Sequence, residues 1–312
     1  MSENILITAI NLETDIDRFR PLFREHDLHI ILPRDERPLT EDHVRRLVRD
    51  ADGIIAGDEP FTGRVLENAP HLRVISRWGT GLDNIDLKAC QDLGIVVKNI
   101  PGVFTAPVAD LVMGFLLAFA RRIPWADRQV RAGEWGTVPA RTLQECTLGI
   151  IGMGRIGQAV LPRALGFGMS LLGHDRLPLP EELPGATGLQ AVSKEELLRR
   201  ADFISLHCDL NPTSYHLIGE AELEMMKPDA VVINTARGGV IDEPALIRAL
   251  QSGRIAGAGL DVFETEPLPA ASTLRTMENV LLSPHNGHSS PAARENAHAR
   301  AIENLLAGLE ES

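Results

Sequence analysis

The sequence predicts an α/β protein made of two doubly wound parallel-sheet domains, and three observations carry that expectation. Short, wholly apolar runs alternate with amphipathic segments along nearly all of the 312 residues; strands apolar on both faces belong to parallel sheets covered by helices on each side. The length exceeds what one ordinary core fills and suits two. A break at Pro101-Gly102, followed by a segment apolar nearly all round, divides one series of strands from a second.

The elements follow in order. Ile5 to Ile7 reads as the first strand, Ile16 to Phe23 as an amphipathic helix and Leu28 to Leu32 as the second strand. Val44 to Val48 marks a helix and Gly53 to Ile55 a third strand. Leu72 to Ser76 and Ile95 to Val97 continue the series, with a helix between them that Gly94 ends as its C′ residue. Thr105 is placed to cap the next helix and Pro107 suits its first turn; Val108 to Phe119 demands burial against another surface. The second series of strands is Leu148 to Ile151, Ser170 to Leu172, Phe203 to Leu206, Val231 to Ile233, Ile255 to Leu260 and Val280 to Leu282. Among the helices between them, one opens at Ser193 with Glu196 as a capping box. Another opens at Asp242 with Pro244 in its first turn and Gly253 after its end. A last amphipathic helix runs from Ala292 to Leu306, with Gly308 placed to end it.

Composition removes several function classes. Hydrophobic residues at 44% and charged residues at 24% are those of a globular protein, neither disordered nor fibrous. The net charge of -12, from 43 acidic and 31 basic side chains, argues against a nucleic-acid partner. Cys90, Cys146 and Cys208 lie far apart with no CxxC pair, so neither a disulfide framework nor a metal site is expected. The N-terminus lacks the basic start and cleavage site of a secretory signal, and the longest apolar run, Leu111 to Ala120, is too short to cross a bilayer. A cytoplasmic protein without a membrane partner is the expectation.

Gly152-Met153-Gly154-Arg155-Ile156-Gly157 follows an apolar strand and opens a helix, the context a dinucleotide-binding turn requires. The first glycine permits the tight turn, the second lets backbone approach a pyrophosphate, and the third brings helix and strand together. The diphosphate then meets free N–H groups at the positive end of the helix dipole. A GxGxxG alone is weak evidence in a chain with 27 glycines. Asp175 strengthens it: this carboxylate ends the next strand about twenty residues on, where an acid binds the adenosine ribose hydroxyls. A carboxylate there repels a 2′-phosphate, so NAD is expected over NADP, with Arg176 as the counter-argument.

Three further stretches arrive at the ends of second-series strands: Asn234-Thr235-Ala236-Arg237-Gly238-Gly239, Leu260-Asp261-Val262-Phe263-Glu264-Thr265-Glu266-Pro267 and Ser283-Pro284-His285-Asn286-Gly287. A carbonyl reduction needs a cation to hold the substrate carboxylate and polarise its carbonyl, an acid to protonate the developing alkoxide, and a group that tunes that acid. Arg237 has the planar fork that binds a carboxylate bidentately. His285 is of the residue type that exchanges protons near neutral pH, and Glu266 is the carboxylate to go with it. Taken singly, Arg237 reads equally as a surface turn residue, Glu266 as a solvated acid before Pro267 and His285 as a loop histidine. Their common place behind one cofactor turn favours the catalytic reading.

GMGRIGQ at 152–158, INTARGGVIDEPALIRAL at 233–250, GAGLDVFETEP at 257–267, SPHNG at 283–287 and WGTGLDNID at 78–86 together resemble a known family. It is the D-isomer-specific 2-hydroxyacid dehydrogenases, and within it the phosphoglycerate dehydrogenase branch. The resemblance covers nearly the whole chain. It implies a Rossmann cofactor domain, residues 101–286, inserted into a flavodoxin-like substrate domain of residues 1–100 plus 287–312, with the active site in the cleft. It assigns Arg237, Glu266 and His285 as catalytic, His285 being the acid/base. Gly152, Gly154, Arg155, Ile156, Gly157, Asp175, His207, Thr235, Ala236 and Asp261 fall to the cofactor, Asp261 near the nicotinamide carboxamide. It places the helix near 105–121 in a homodimer interface.

At the substrate end the resemblance implies that Trp78, Gly79, Thr80 and Gly81 present backbone N–H groups to the substrate carboxylate, and that Arg77 faces the phosphate of 3-phosphoglycerate. Trp78 departs from the small residue usual in that branch, and its bulk is expected to crowd a phosphorylated substrate; Asn286 and His288 depart as well. The activity implied is NAD-dependent hydride transfer between NAD(H) and a small 2-hydroxy or 2-oxo acid, with 3-phosphoglycerate as the named candidate. The alternatives are a glyoxylate or hydroxypyruvate reductase, a phosphite-type dehydrogenase on the same scaffold, and, in another class, an NAD-sensing corepressor-like protein. Formate dehydrogenases resemble the chain too, but pair their histidine with glutamine, so Glu266 speaks against that activity.

Overall fold

The computed structural model describes residues 2–33, 38–180 and 182–311. The chain forms two compact units, Met1–Phe104 with Ser289–Ser312, and Thr105–His288.

Among the described residues of the first unit, five strands form one sheet: β1 (Glu3–Ile7), β2 (Leu28–Ile31), β3 (Gly53–Ala56), β4 (Val74–Arg77) and β5 (Val96–Lys98). Their order is β2-β1-β3-β4-β5 and every pairing is parallel, the flavodoxin-like order expected. Ile5, Leu6, Ile7, Ile54, Ile55, Val74 and Ile75 are fully buried, which is why these strands read as continuous apolar runs. The helix expected to end near Gly308 instead runs Pro291–Glu311. Gly308 lies inside it because a β-carbon there would stand 2.3 Å from Val74 Cγ2. The glycine marks close helix-on-sheet packing rather than a C-cap. Ser76 Oγ donates to the carbonyl of Ala301 in the same helix at 2.7 Å, tying it to β4.

In the second unit the described strands are β6 (Thr147–Ile151), β7 (Ser170–His174), β8 (Gln190–Ala191), β9 (Phe203–Leu206), β10 (Val231–Asn234), β11 (Gly257–Leu260) and β12 (Val280–Leu282). They are ordered β12-β11-β10-β9-β6-β7-β8, all parallel. This is the dinucleotide-binding order with one more strand, and the order reverses between β6 and β9, where such sheets open a crevice for ligand. β8, two residues long, and the helix Ile123–Arg131 have no counterpart in the sequence reading. The apolar helix Thr105–Ala120 is covered by its own unit: Phe115 and Phe119 lie where β-carbons at Gly259 and Gly257 would meet them at 2.9 and 2.7 Å. Glycines in β11 therefore let that helix settle onto the sheet. Ser193 and Asp242 cap their helices as expected, accepting from the N–H groups of Glu196 and Ala245. No helix of the described residues is long and apolar enough to cross a membrane.

Candidate active site

The glycine turn leaves β6 with Gly152 at φ 93°, a left-handed conformation that glycine adopts without penalty. A β-carbon on Gly152 would stand 2.7 Å from the His207 carbonyl carbon, because the turn presses on the chain leaving β9. At Gly157 a β-carbon would fall 2.1 Å from the Gly152 carbonyl oxygen, whereas at Gly154 it would meet nothing within 4 Å. The third glycine thus closes helix Arg155–Gly166 onto the turn, and the second leaves open space. Gly154 and Arg155 are exposed and Ile156 half-buried on that open side. Asp175, after β7, accepts from Met153 N at 2.6 Å through Oδ2 and from Leu177 N at 2.9 Å through Oδ1. Each carboxylate oxygen keeps acceptor capacity for a ribose hydroxyl.

Two buried polar atoms at strand ends have no hydrogen-bond partner among the described residues, His207 Nδ1 and Thr235 Oγ1. Native proteins seldom leave such groups unpaired, and these two are free to bond a polar group lying along the strand ends. Burial pushes the His207 ring down to about 4, keeping it neutral, and its Nε2 lies 2.9 Å from Ser205 Oγ. The fit to a dinucleotide therefore rests on an open glycine cradle, a carboxylate at the next strand end and two orphaned polar atoms beyond it.

The catalytic candidates stand at the ends of the adjacent parallel strands β10, β11 and β12, so all three loops leave the same edge of the sheet. Asn234, almost fully buried at the end of β10, has a role that its place in the sequence does not signal. Its Oδ1 accepts from Ala236 N at 3.0 Å and its Nδ2 donates to the Arg237 carbonyl at 2.9 Å, folding the turn that carries Arg237. The next residue, Gly238, packs so tightly that a β-carbon would lie 1.9 Å from the Phe263 carbonyl carbon. This fastens the Arg237 turn to the segment leading to Glu266. Arg237 Nη1 donates to the Ala236 carbonyl at 2.9 Å.

Glu266 accepts from Phe263 N through Oε1 at 2.9 Å, and its Oε2 lies 2.6 Å from His285 Nδ1. A carboxylate only accepts here, so Nδ1 carries the proton and Nε2 is the ring nitrogen left for chemistry. His285 itself has φ 51°. Asp261, buried at the end of β11, holds that conformation: its oxygens accept from Asn286 N and Gly287 N, each at 2.8 Å, and its carbonyl accepts from His285 N at 2.7 Å. The residue expected on the nicotinamide is thus also the clamp of the histidine loop, a role its sequence position does not signal. His288 lies 6.5 Å from His285 between ring centroids.

In the first unit, Arg77 is 4% exposed at the end of β4. Its Nη1 donates to the carbonyls of Ala56 and Trp78 at 3.2 and 3.0 Å, its Nε to that of Gly81 at 3.3 Å, and its Nη2 pairs with Asp58. The Trp78 indole does not project into open space, contrary to the crowding expected of it. It is buried in its own unit against Phe104, and Nε1 donates to His298 Nδ1 at 3.0 Å. Burial, opposed by Asp15, holds His298 below the usual histidine range, which keeps Nδ1 free to accept; Nε2 lies 3.1 Å from Asp15.

Residues 113–287 match the family model described as D-isomer specific 2-hydroxyacid dehydrogenase, NAD binding domain. The chain belongs to this family. It is an NAD-dependent oxidoreductase acting on the CH–OH group of 2-hydroxy acids. The dehydrogenase is 46% identical over 270 residues to a glyoxylate reductase of Thermococcus litoralis, covering 83% of this chain and 81% of that one. It is 42% identical to a D-3-phosphoglycerate dehydrogenase of Methanocaldococcus jannaschii, over 86% of this chain and 52% of the relative. Among solved structures, a D-lactate dehydrogenase from Aquifex aeolicus complexed with NAD and lactic acid has a TM-score of 0.85 and 29% identity, covering 99% of this dehydrogenase and 97% of that chain.

Proposed function

We propose that the dehydrogenase reduces glyoxylate or hydroxypyruvate with NADH, with Arg237, Glu266 and His285 as its catalytic residues. The observation that carries this is the 2.6 Å His285–Glu266 pair, in the loops that leave β11 and β12 at the same sheet edge as the glycine turn leaves β6. When bound, NADH supplies the hydride for the 2-carbon. Arg237 holds the substrate carboxylate and polarises the 2-oxo group. His285, protonated on both nitrogens and so cationic, gives its Nε2 proton to the oxygen developing on the 2-carbon and becomes neutral, its Nδ1–H still donating to Glu266. Asp261 keeps that ring in place through the histidine loop. The glycine turn with Asp175, His207, Thr235 and Ala236 holds the cofactor, and the 1–100 plus 287–312 portion takes the substrate through the N–H groups of residues 79–81.

The phosphoglycerate reading draws support from the Methanocaldococcus jannaschii relative and from the presence of Arg77. Against it, the Arg77 guanidinium is already committed to its own loop and Asp58, and the Thermococcus litoralis relative is named glyoxylate reductase. A homodimer belongs to the same proposal: Ile123 and Val130 are more than half exposed and Trp135 is 92% exposed, apolar surface suited to a second copy.

A coupled assay separates these substrates. With NADH, kcat/KM for glyoxylate and hydroxypyruvate is expected to exceed that for 3-phosphohydroxypyruvate by about tenfold or more, with NADPH poorer than NADH by a similar factor. Preference for the phosphorylated acid, or turnover of phosphite with NAD and of no 2-oxo acid, overturns the proposal. The same preparation is expected to sediment as a dimer; a monomer removes that part.

A further inference from the structure

The loop Trp78-Gly79-Thr80-Gly81 is shaped from beneath. Both the Trp78 and the Gly81 carbonyls accept from the Arg77 guanidinium, and Gly79 lies flat on it, since a β-carbon there would stand 2.8 Å from Arg77 Cζ. The Gly79 carbonyl accepts from Ile100 N at 3.1 Å and that of Thr80 from Asn99 Nδ2 at 2.6 Å. Every carbonyl in the loop is therefore anchored. In a planar trans peptide the N–H points opposite to the C=O. Anchoring the carbonyls of residues 78, 79 and 80 turns the N–H groups of Gly79, Thr80 and Gly81 away from those anchors. None of the three has a hydrogen-bond partner among the described residues.

We propose that Arg77 is a positioning residue, the cationic template on which this loop is folded so that its free N–H groups meet the carboxylate of any 2-oxo acid. Trp78 is its second anchor, through His298. This rests on the proposed reading that the loop receives the substrate carboxylate. Arg77 suits the task because its rigid fork bonds three carbonyls at fixed angles while Asp58 balances its charge. A guanidinium so engaged cannot turn to a substrate phosphate without releasing the loop. The Trp78 indole fixes the loop's first residue sideways: Trp78 N donates to the Ala56 carbonyl at 2.9 Å while Nε1 holds His298. The aromatic side chain at this position is thus an anchor facing the interior, and leaves the substrate side of the loop to backbone.

The test compares Arg77→Lys, Trp78→Phe, His298→Leu and His298→Asn with the unaltered protein. KM is measured for glyoxylate, hydroxypyruvate and 3-phosphohydroxypyruvate, and NADH affinity by fluorescence without substrate. A lysine point charge cannot span three carbonyls, so Arg77→Lys is expected to raise KM roughly tenfold to a hundredfold, by the same factor for all three acids, with NADH affinity unchanged. Trp78→Phe, which keeps the ring and loses the N–H, raises KM uniformly by about threefold to tenfold. His298→Leu matches it, and His298→Asn, with an acceptor near the Nδ1 position, restores part of the loss. A selective KM increase for 3-phosphohydroxypyruvate in Arg77→Lys, with glyoxylate unaffected, overturns the template. So does an unchanged KM in both Arg77→Lys and Trp78→Phe. Failure of the unaltered protein to turn over any of the acids instead removes the substrate reading, so the two failures are distinct.

Discussion

Replacing His285 is expected to lower kcat for glyoxylate reduction by about 10²–10⁴-fold while leaving NADH affinity within about twofold of the parent, the loss typical of a missing general acid. Asparagine is the cleanest substitution. His285 sits at φ 51°, where asparagine is far better tolerated than alanine, so His285→Asn removes the acid without straining the loop. The loop itself is held by Asp261 through the N–H groups of Asn286 and Gly287, none of which depends on the imidazole. Glu266→Gln is a graded companion. Its amide oxygen can still accept from Phe263 N, but the carboxylate that supports a protonated ring is lost, and kcat is expected to fall about tenfold to a hundredfold. Stopped-flow loss of NADH absorbance, with NADH titrations on the same preparations, checks both. A His285→Asn enzyme that keeps more than about a tenth of parental kcat has its proton donor elsewhere.

The second large effect is expected at the glycine turn, where Gly157→Ala and Gly154→Ala should part company. A methyl on Gly157 would sit 2.1 Å from the Gly152 carbonyl oxygen. That neighbour is backbone and cannot rotate aside, so the helix Arg155–Gly166 must lift from the turn. Overpacking of this kind costs about 1–3 kcal/mol or more, and it displaces the helix N-terminus from where the pyrophosphate is held. Gly157→Ala is expected to melt several degrees lower and to bind NADH about a hundredfold more weakly or worse. A methyl on Gly154 would meet nothing within 4 Å, and its φ of −72° suits any residue. Gly154→Ala should therefore melt like the parent and lose only cofactor affinity. Equal melting temperatures for the two variants would refute the packing argument for Gly157.

The two sheets are legible in the sequence because their strands are buried on both faces. Runs such as Ile5 to Ile7 and Val231 to Ile233 need no partner to be recognised. Caps at Ser193 and Asp242 were equally legible, since a capping side chain and the N–H it satisfies lie three residues apart. The roles of Asn234 and Gly238 were not. The Asn234 bonds close a turn only once the strand has ended at a particular residue, and the crowding at Gly238 comes from Phe263, twenty-five residues away in sequence. Gly308 differs between sequence and structure for a related reason. A glycine near the end of an amphipathic helix usually stops it, and only the approach of Val74 shows that here a side chain is excluded.

By itself, then, the sequence determined which residue types could do chemistry and where along the chain they fall: the glycine turn with Asp175, and Arg237, Glu266 and His285 after successive strands. Those signals are local, because strand burial, helix capping and tight turns are properties of neighbouring residues. Tertiary structure decided what each group is free to do. It placed Glu266 against His285, gave Asp261 the histidine loop to hold, buried the Trp78 indole on His298 and spent the Arg77 guanidinium on the carbonyls of Trp78 and Gly81 in its own loop and of Ala56 in β3. A hydrogen-bonding side chain has few donors and acceptors, and only the folded chain shows which of them remain available to a substrate.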